Sequence, residues 1–184
     1  MPTVPSEEFV KFGAALRRMV EEFAEQNRLL VLPNFGDKWH HFKFTMARSA
    51  NLFVERNHLT REDGLMLLLS VVYYYGREVG KTREQILARI RHIYLTGNVE
   101  LFPAGTAPLG IDVKHDALEI LIAIAGHFGD QIGRSPSQLI SLAADSFAVW
   151  AQQEDEHGAP DAPPIQGLVV DIPAGMKEPE IKVG

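Results

Sequence analysis

Residues 60–94 read TREDGLMLLLSVVYYYGREVGKTREQILARIRHIY, and residues 113–147 read VKHDALEILIAIAGHFGDQIGRSPSQLISLAADSF. The second segment is a degraded copy of the first at an offset of 53 positions, and the alignment needs no gap. Gly76 falls on Gly129, and most apolar positions of one segment fall on apolar positions of the other. A repeat at a fixed period indicates that the same supersecondary unit is built twice.

Each copy predicts an apolar helix, a turn marked by glycine and a second helix with a defined start. The run Leu65–Tyr75 is apolar on nearly all sides, which is typical of a helix at the centre of a domain. Gly80 predicts a left-handed end to that helix, because glycine adopts positive φ without steric cost. Capping-box patterns at residues 60–63, 82–85 and 135–138 predict where three helices begin.

The whole chain predicts an all-α protein of about six helices. Two amphipathic stripes near the N-terminus give a helix pair, and the two duplicated helix-turn-helix hairpins follow it. We expect the two apolar helices, one per copy, to pack together under a pseudo-twofold axis. Residues 1–156 are predicted to form a single domain with the internal repeat at 60–96 and 113–149. Residues 157–184 are predicted to form an extended Pro-rich tail.

Two short apolar segments fit more than one local structure. Leu29–Leu32 is either an extended segment or a last helical turn, because so few residues show no period. Residues 167–172 in the tail predict either a short strand or an extended segment lying on the domain.

The composition excludes several classes of site. The 184 residues include no cysteine, which rules out disulfides, zinc ribbons, thiol catalysis and iron–sulfur clusters. The formal net charge of −6 argues against a general nucleic-acid binder, although a local basic face is compatible with it. The apolar runs fall short of the ~20 residues that a membrane-spanning helix needs. We therefore expect a cytoplasmic protein with no membrane partner and no cofactor.

The turn in each copy matches the spacing of a DNA-binding helix-turn-helix, in which a small residue, a glycine and an aliphatic residue follow at fixed intervals. Gly76, Gly80 and Ile86 occupy these positions in the first copy. Basic side chains surround this turn and could bind phosphates or an acidic partner: Arg77, Lys81, Arg83, Arg89 and Arg91. The second copy is acidic instead, so the prediction of a basic binding face applies to the first hairpin alone.

Three consecutive tyrosines, Tyr73, Tyr74 and Tyr75, close the first apolar helix. They cannot all lie on one side of a helix. Tyr75 aligns with Phe128 and is predicted to lie in the core, so we expect Tyr73 or Tyr74 to reach a surface that contacts a partner. The alternative is that the N-terminal helices cover them.

Two motifs resemble enzyme sites. Residues 76–82 resemble a P-loop, but three residues separate the glycines where a phosphate cradle has four, so we predict a structural corner. His115 and Asp116, with His92 and Asp145, resemble the metal-binding set of the HD-type phosphohydrolases, which implies a metal-dependent hydrolase. The alternative is that Asp116 is a first-turn carboxylate that interacts favourably with the helix dipole.

These observations favour a non-catalytic protein that binds a macromolecule, either another protein or itself, through the basic face of the first hairpin. The predicted binding residues are the five basic side chains together with Tyr73 and Tyr74. A DNA-binding regulator that uses the same face is the first alternative. A metal-dependent phosphohydrolase is the second.

Overall fold

The computed structural model describes residues 6–29, 35–99, 101 and 111–157. These residues contain six helices and no strand, so the all-α prediction is confirmed for the described part of the chain. The helices are α1 (Ser6–Leu29), α2 (Phe35–Arg56), α3 (Arg61–Glu78), α4 (Arg83–Thr96), α5 (Ile111–Gln131) and α6 (Pro136–His157). Residues 158–184 of the predicted tail and residues 30–32 of the Leu29–Leu32 segment lie outside the described residues, whereas His157 is the last residue of α6.

All three predicted capping boxes are present. The Thr60 hydroxyl accepts a hydrogen bond from the amide of Asp63, whose carboxylate accepts one from the Thr60 amide. The boxes at residues 82–85 and 135–138 have the same two bonds, with lengths between 2.9 and 3.2 Å. Each box satisfies backbone donors that the first turn of a helix leaves without a partner, and so fixes the residue at which α3, α4 and α6 begin.

The apolar helices α3 and α5 form the centre of the protein. They pack against each other more extensively than any other pair, while α1 and α2 also pack on α5, and α4 packs on α6. Residues 64–76 of α3 are buried with the single exception of the half-buried Met66. The central position therefore follows from the absence of a polar side on these two helices.

The start of α5 differs from the expectation for Asp116. α5 begins at Ile111, so Asp116 lies in the second helical turn, and its side chain is fully buried. The prediction of a first-turn carboxylate was therefore wrong. The repeat aligns Asp116 with Asp63 in the first turn of α3, but α5 extends farther at its N-terminus than α3 does.

The two hairpin corners have the same backbone geometry. Gly80 has φ 89° and Gly133 has φ 84°, values that glycine adopts readily. In the first corner, the Lys81 amide donates a hydrogen bond of 2.9 Å to the Gly76 carbonyl. In the second corner, the Arg134 amide donates one of 2.9 Å to the Gly129 carbonyl. These bonds satisfy the last carbonyls of α3 and α5. The pseudo-twofold axis stays a prediction, which the matching corners support.

A second glycine in each corner allows the two helices of the hairpin to touch. A Cβ atom at Gly76 would lie 2.6 Å from Cδ1 of Ile86, and one at Gly129 would lie 2.4 Å from Cδ2 of Leu139. Such distances are shorter than carbon atoms tolerate, so any side chain here must displace the aliphatic residue that holds the second helix.

We expect Gly129→Ala to lower the free energy of unfolding by about 1–2 kcal/mol. Overpacking against Leu139 costs about 1–3 kcal/mol, and the better helix propensity of alanine offsets about 0.5–1 kcal/mol of this. The control is Gly36→Ala in α2, where an added Cβ meets no atom within 4 Å. Urea denaturation measures both variants, and equal stabilities would contradict the close packing of this corner.

Candidate binding surface and pocket

The basic corner is bound within the chain by the acidic end of α6. Nε of Arg77 lies 3.4 Å from Oε2 of Glu154, and its Nη1 donates to the Lys81 carbonyl at 3.0 Å. Glu154 also accepts a hydrogen bond of 3.2 Å from the Tyr73 hydroxyl. The opposite charges of the two copies therefore meet inside one molecule, where they hold α6 against α3.

Arg89 is turned towards the interior. Its Nη2 and Nε donate to the two carboxylate oxygens of Glu119 on α5, at 2.6 and 3.0 Å. Glu119 is buried, whereas about a quarter of the Arg89 side chain is exposed. A bidentate arginine–carboxylate pair is a strong and geometrically specific interaction. Arg89 thus joins α4 to α5 and is oriented away from the predicted binding face.

The remaining basic residues of the predicted set differ in their contacts. Arg83 forms an ion pair with its neighbour Glu84 at 3.3 Å, and Lys81 is half-buried. Arg91 is exposed and forms no ion pair within the described residues. The predicted face is therefore not a continuous basic surface, and Arg91 is its most available cation.

Tyr73 and Tyr74 are both buried, so the expectation that one of them reaches the surface was wrong. α6 covers them, rather than the N-terminal helices: the Tyr73 ring lies 4.9 Å from Phe147 and 5.8 Å from Trp150, measured between centroids. Burial, followed by the charge of Glu154, raises the pKa of Tyr73 to about 12. Tyr75 is buried as predicted, and its hydroxyl donates to Glu21 at 2.7 Å.

The side chains that resemble the HD-type metal set do not form a metal site. Within the described residues, no three His, Asp or Glu side chains come close enough together to hold an ion. His92 and His115 are half-buried, Asp116 is buried and Asp145 is exposed. The structure therefore gives this resemblance no geometric support.

A pocket that the sequence interpretation missed opens between α2, α4, α5 and α6, with a volume of about 210 Å³. Its apolar lining comes from the last turn of α4, the second half of α5 and the first turn of α6. The described residues that line it are Lys43, Ile93, Tyr94, Gly97, Ala123, Gly126, His127, Asp130, Arg134, Pro136 and Leu139. A small concave site with a few convergent polar groups is typical of a ligand-binding pocket.

Two lining residues have a buried polar atom without a hydrogen-bond partner. These atoms are the hydroxyl oxygen of Tyr94 and Nε2 of His127, judged against the part of the chain that the structure describes. Burial raises the pKa of Tyr94, so its hydroxyl stays protonated and able to donate. Burial also lowers the pKa of His127, with a further contribution from the charge of Lys43 and opposition from Asp130. A neutral imidazole is therefore favoured at neutral pH.

Lys43 supplies a partly desolvated cation to the pocket. Burial lowers its pKa, and its ammonium group lies 5.8 Å from the centroid of the Trp39 ring. Arg134 forms an ion pair with Glu62, and Asp130 is exposed. At the rim, the half-exposed Phe44 packs edge-on against His127 with a centroid distance of 4.6 Å. The pocket thus combines apolar walls with one cation that has no carboxylate partner within the described residues.

None of the described helices combines the length and the apolar character that spanning a membrane requires. Comparisons with protein-family models, with curated proteins and with solved structures found no match in any of the three.

The buried ion pair between Arg89 and Glu119 generates a stability prediction. The repeat offset aligns these residues with Leu142 and Met66, so the same positions of the other hairpin carry apolar side chains. We expect Arg89→Leu to cost about 3–5 kcal/mol of unfolding free energy, because it leaves a buried carboxylate without its bidentate partner.

The double variant Arg89→Leu and Glu119→Met, which copies the apolar positions, should recover most of that loss. Glu119→Met alone should cost less than Arg89→Leu, since the partly exposed guanidinium can turn to water. Denaturant unfolding of the four proteins gives the coupling energy. Additive losses in the double variant would show that the pair is not the dominant interaction of these side chains.

Proposed function

We propose that this protein is a non-catalytic binding module for another protein, and that the partner contacts the outer side of α4. This outer side, here called the α4 face, consists of Glu84, Ala88, Arg91 and Leu95, which recur at helical spacing and are all exposed. The observation that carries the proposal is the pair formed by Arg91 and Leu95. Arg91, an exposed arginine with no ion pair in the described part of the chain, lies one turn from a leucine that is 62% exposed.

The rest of α4 supports a rigid presentation of this face. Ile86 and Ile90 are completely buried, and the ion pair of Arg89 ties the helix to α5. A preformed helix that holds its side chains in place loses little conformational entropy when a partner binds. Arginine is enriched at protein interfaces, where its planar head pairs with carboxylates and its stem covers apolar area.

The chemistry of the α4 face favours a partner segment that has an apolar side chain next to a carboxylate. Such a segment would bury Leu95 and pair with Arg91. Self-association through opposite charges is less favoured, because Arg77 and Glu154 already pair within one chain. The partner that we propose is therefore a different protein.

Photo-crosslinking tests the α4 face directly. We expect p-benzoylphenylalanine introduced in place of Ala88 to give one discrete adduct in cells that produce the protein, and Arg91→Glu in the same chain to abolish that adduct. The control carries the crosslinker in place of Ser141, the exposed residue of α6 that the repeat aligns with Ala88. An identical adduct from both positions, or one that survives Arg91→Glu, would rule out a specific contact at this face.

DNA binding is the alternative function. The first hairpin has the glycine turn of a helix-turn-helix, and this geometry is compatible with DNA binding. The internal ion pairs of Arg77 and Arg89 weigh against it, since these side chains are not available to phosphates. We expect no salt-dependent binding of a fluorescent random duplex in an anisotropy titration. Binding at low salt that Arg83→Ala and Arg91→Ala together weaken would replace our proposal with the DNA-binding one.

A further inference from the structure

The second helices of the two hairpins differ in length. α4 has 14 residues and ends at Thr96, with Gly97 as a left-handed cap. α6 has 22 residues and continues to His157. The repeat offset aligns Thr96 with Val149, so the last two turns of α6 have no helical counterpart in α4. Those turns contain Trp150 and Glu154, which contact the first hairpin.

At the first hairpin, these extra turns complete a filled aromatic cluster. Tyr73 on α3 contacts Phe147 and Trp150 on α6, and its hydroxyl donates to Glu154. Arg77, one turn after Tyr73, pairs with the same carboxylate. The Trp150 ring and the Glu154 carboxylate of α6 therefore cover this end of α3.

The pocket lies at the corresponding place on the second hairpin. The offset aligns Tyr73 with Gly126 and Phe147 with Tyr94, and these two residues again face each other: a Cβ atom at Gly126 would lie 2.6 Å from Cε1 of Tyr94. The contact between α3 and α6 at Tyr73 and Phe147 thus recurs between α5 and α4. A twofold arrangement of the two hairpins produces such a pair of contacts. Trp150 aligns with Gly97, which lines the pocket. Glu154 aligns with Leu101, a half-buried residue that packs on the core. The hollow therefore lies where the first hairpin has an aromatic ring.

We propose that this pocket binds a small aromatic carboxylate, whose ring takes the place that Trp150 fills on the first hairpin. The apolar walls formed by Ile93, Ala123 and Leu139 would contact the ring. Lys43 would pair with the carboxylate. Its partly desolvated ammonium group has no carboxylate partner within the described residues. Binding at this pocket does not require a partner at the α4 face.

The polar lining agrees with this ligand class. Tyr94 is nine-tenths buried, and its hydroxyl, which has no partner among the described residues, is a donor, as a carboxylate acceptor requires. Arg134 adds a second cation at the edge, although Glu62 pairs with it and Asp130 opposes an anion. A cationic site that also has a nearby carboxylate selects a ligand with one negative charge over one with several.

The volume sets the size of the ligand. A cavity of about 150 Å³ lined by apolar residues holds a benzene molecule. The present 210 Å³ leaves room for a ring with a short acidic arm. It is smaller than the ~300–1,000 Å³ of sites for drug-sized ligands, so an acid with one or two rings fits it better than a nucleotide does.

Titration of the full-length protein with indole-3-acetate, followed by isothermal calorimetry and by amide chemical shifts, tests the proposal. We expect saturable binding with shifts at residues 93–97 and 123–130. Indole, which lacks the carboxylate, and acetate, which lacks the ring, should each bind at least about tenfold more weakly, since a charged hydrogen bond or a buried ring accounts for that much affinity.

Variants assign the interaction to the pocket. Lys43→Gln should weaken indole-3-acetate binding about tenfold or more, and Ala123→Leu should abolish it by filling the hollow, with the circular dichroism melt checked for both. The matched control is Lys38→Gln, an exposed lysine of the same helix, which should leave binding unchanged. The proposal is overturned if millimolar indole-3-acetate causes no saturable shifts, if indole binds equally well, or if Lys38→Gln weakens binding as much as Lys43→Gln.

Discussion

The structure depends on the packing of α3 against α5. Both helices are apolar on nearly every side, so neither can lie at a surface, and each must be covered by several other helices. α1 and α2 cover one part of this pair, while α4 and α6 cover another. The two glycine corners make this possible. Gly76 and Gly129 lack a Cβ, which lets α4 and α6 lie directly on the helices that precede them.

Much of this arrangement is predictable because the signals are local. The boxes at residues 60–63, 82–85 and 135–138 act within one helical turn, and the glycines at 80 and 133 act within one corner. The apolar length of α3 and α5 predicts their burial without knowledge of their neighbours. The errors concern long-range contacts: Tyr73 is covered by α6, more than 70 positions away, and Arg89 pairs with a glutamate on another helix.

The pocket shows what a single sequence does and does not reveal. The repeat alignment indicates the pocket at two mismatched positions. Gly126 aligns with Tyr73, and Gly97 aligns with Trp150. A large aromatic ring replaced by glycine in a duplicated core indicates lost volume. However, Lys43 comes from α2, outside the repeat, and no periodicity connects it with α4 or α5. The polar character of the pocket therefore depends on the way the N-terminal helix pair packs.

The extra turns of α6 cover the first hairpin, whereas the second hairpin has an open pocket at the corresponding place. Cleavage after Val149 would remove Trp150 and Glu154 together, so Tyr73 would keep Phe147 but lose one ring neighbour and its hydrogen-bond acceptor. Arg77 would lose its ion pair in the same event. A chain shortened in this way would expose the Tyr73 side of the first hairpin, so the last residues of one helix decide whether this hairpin is covered.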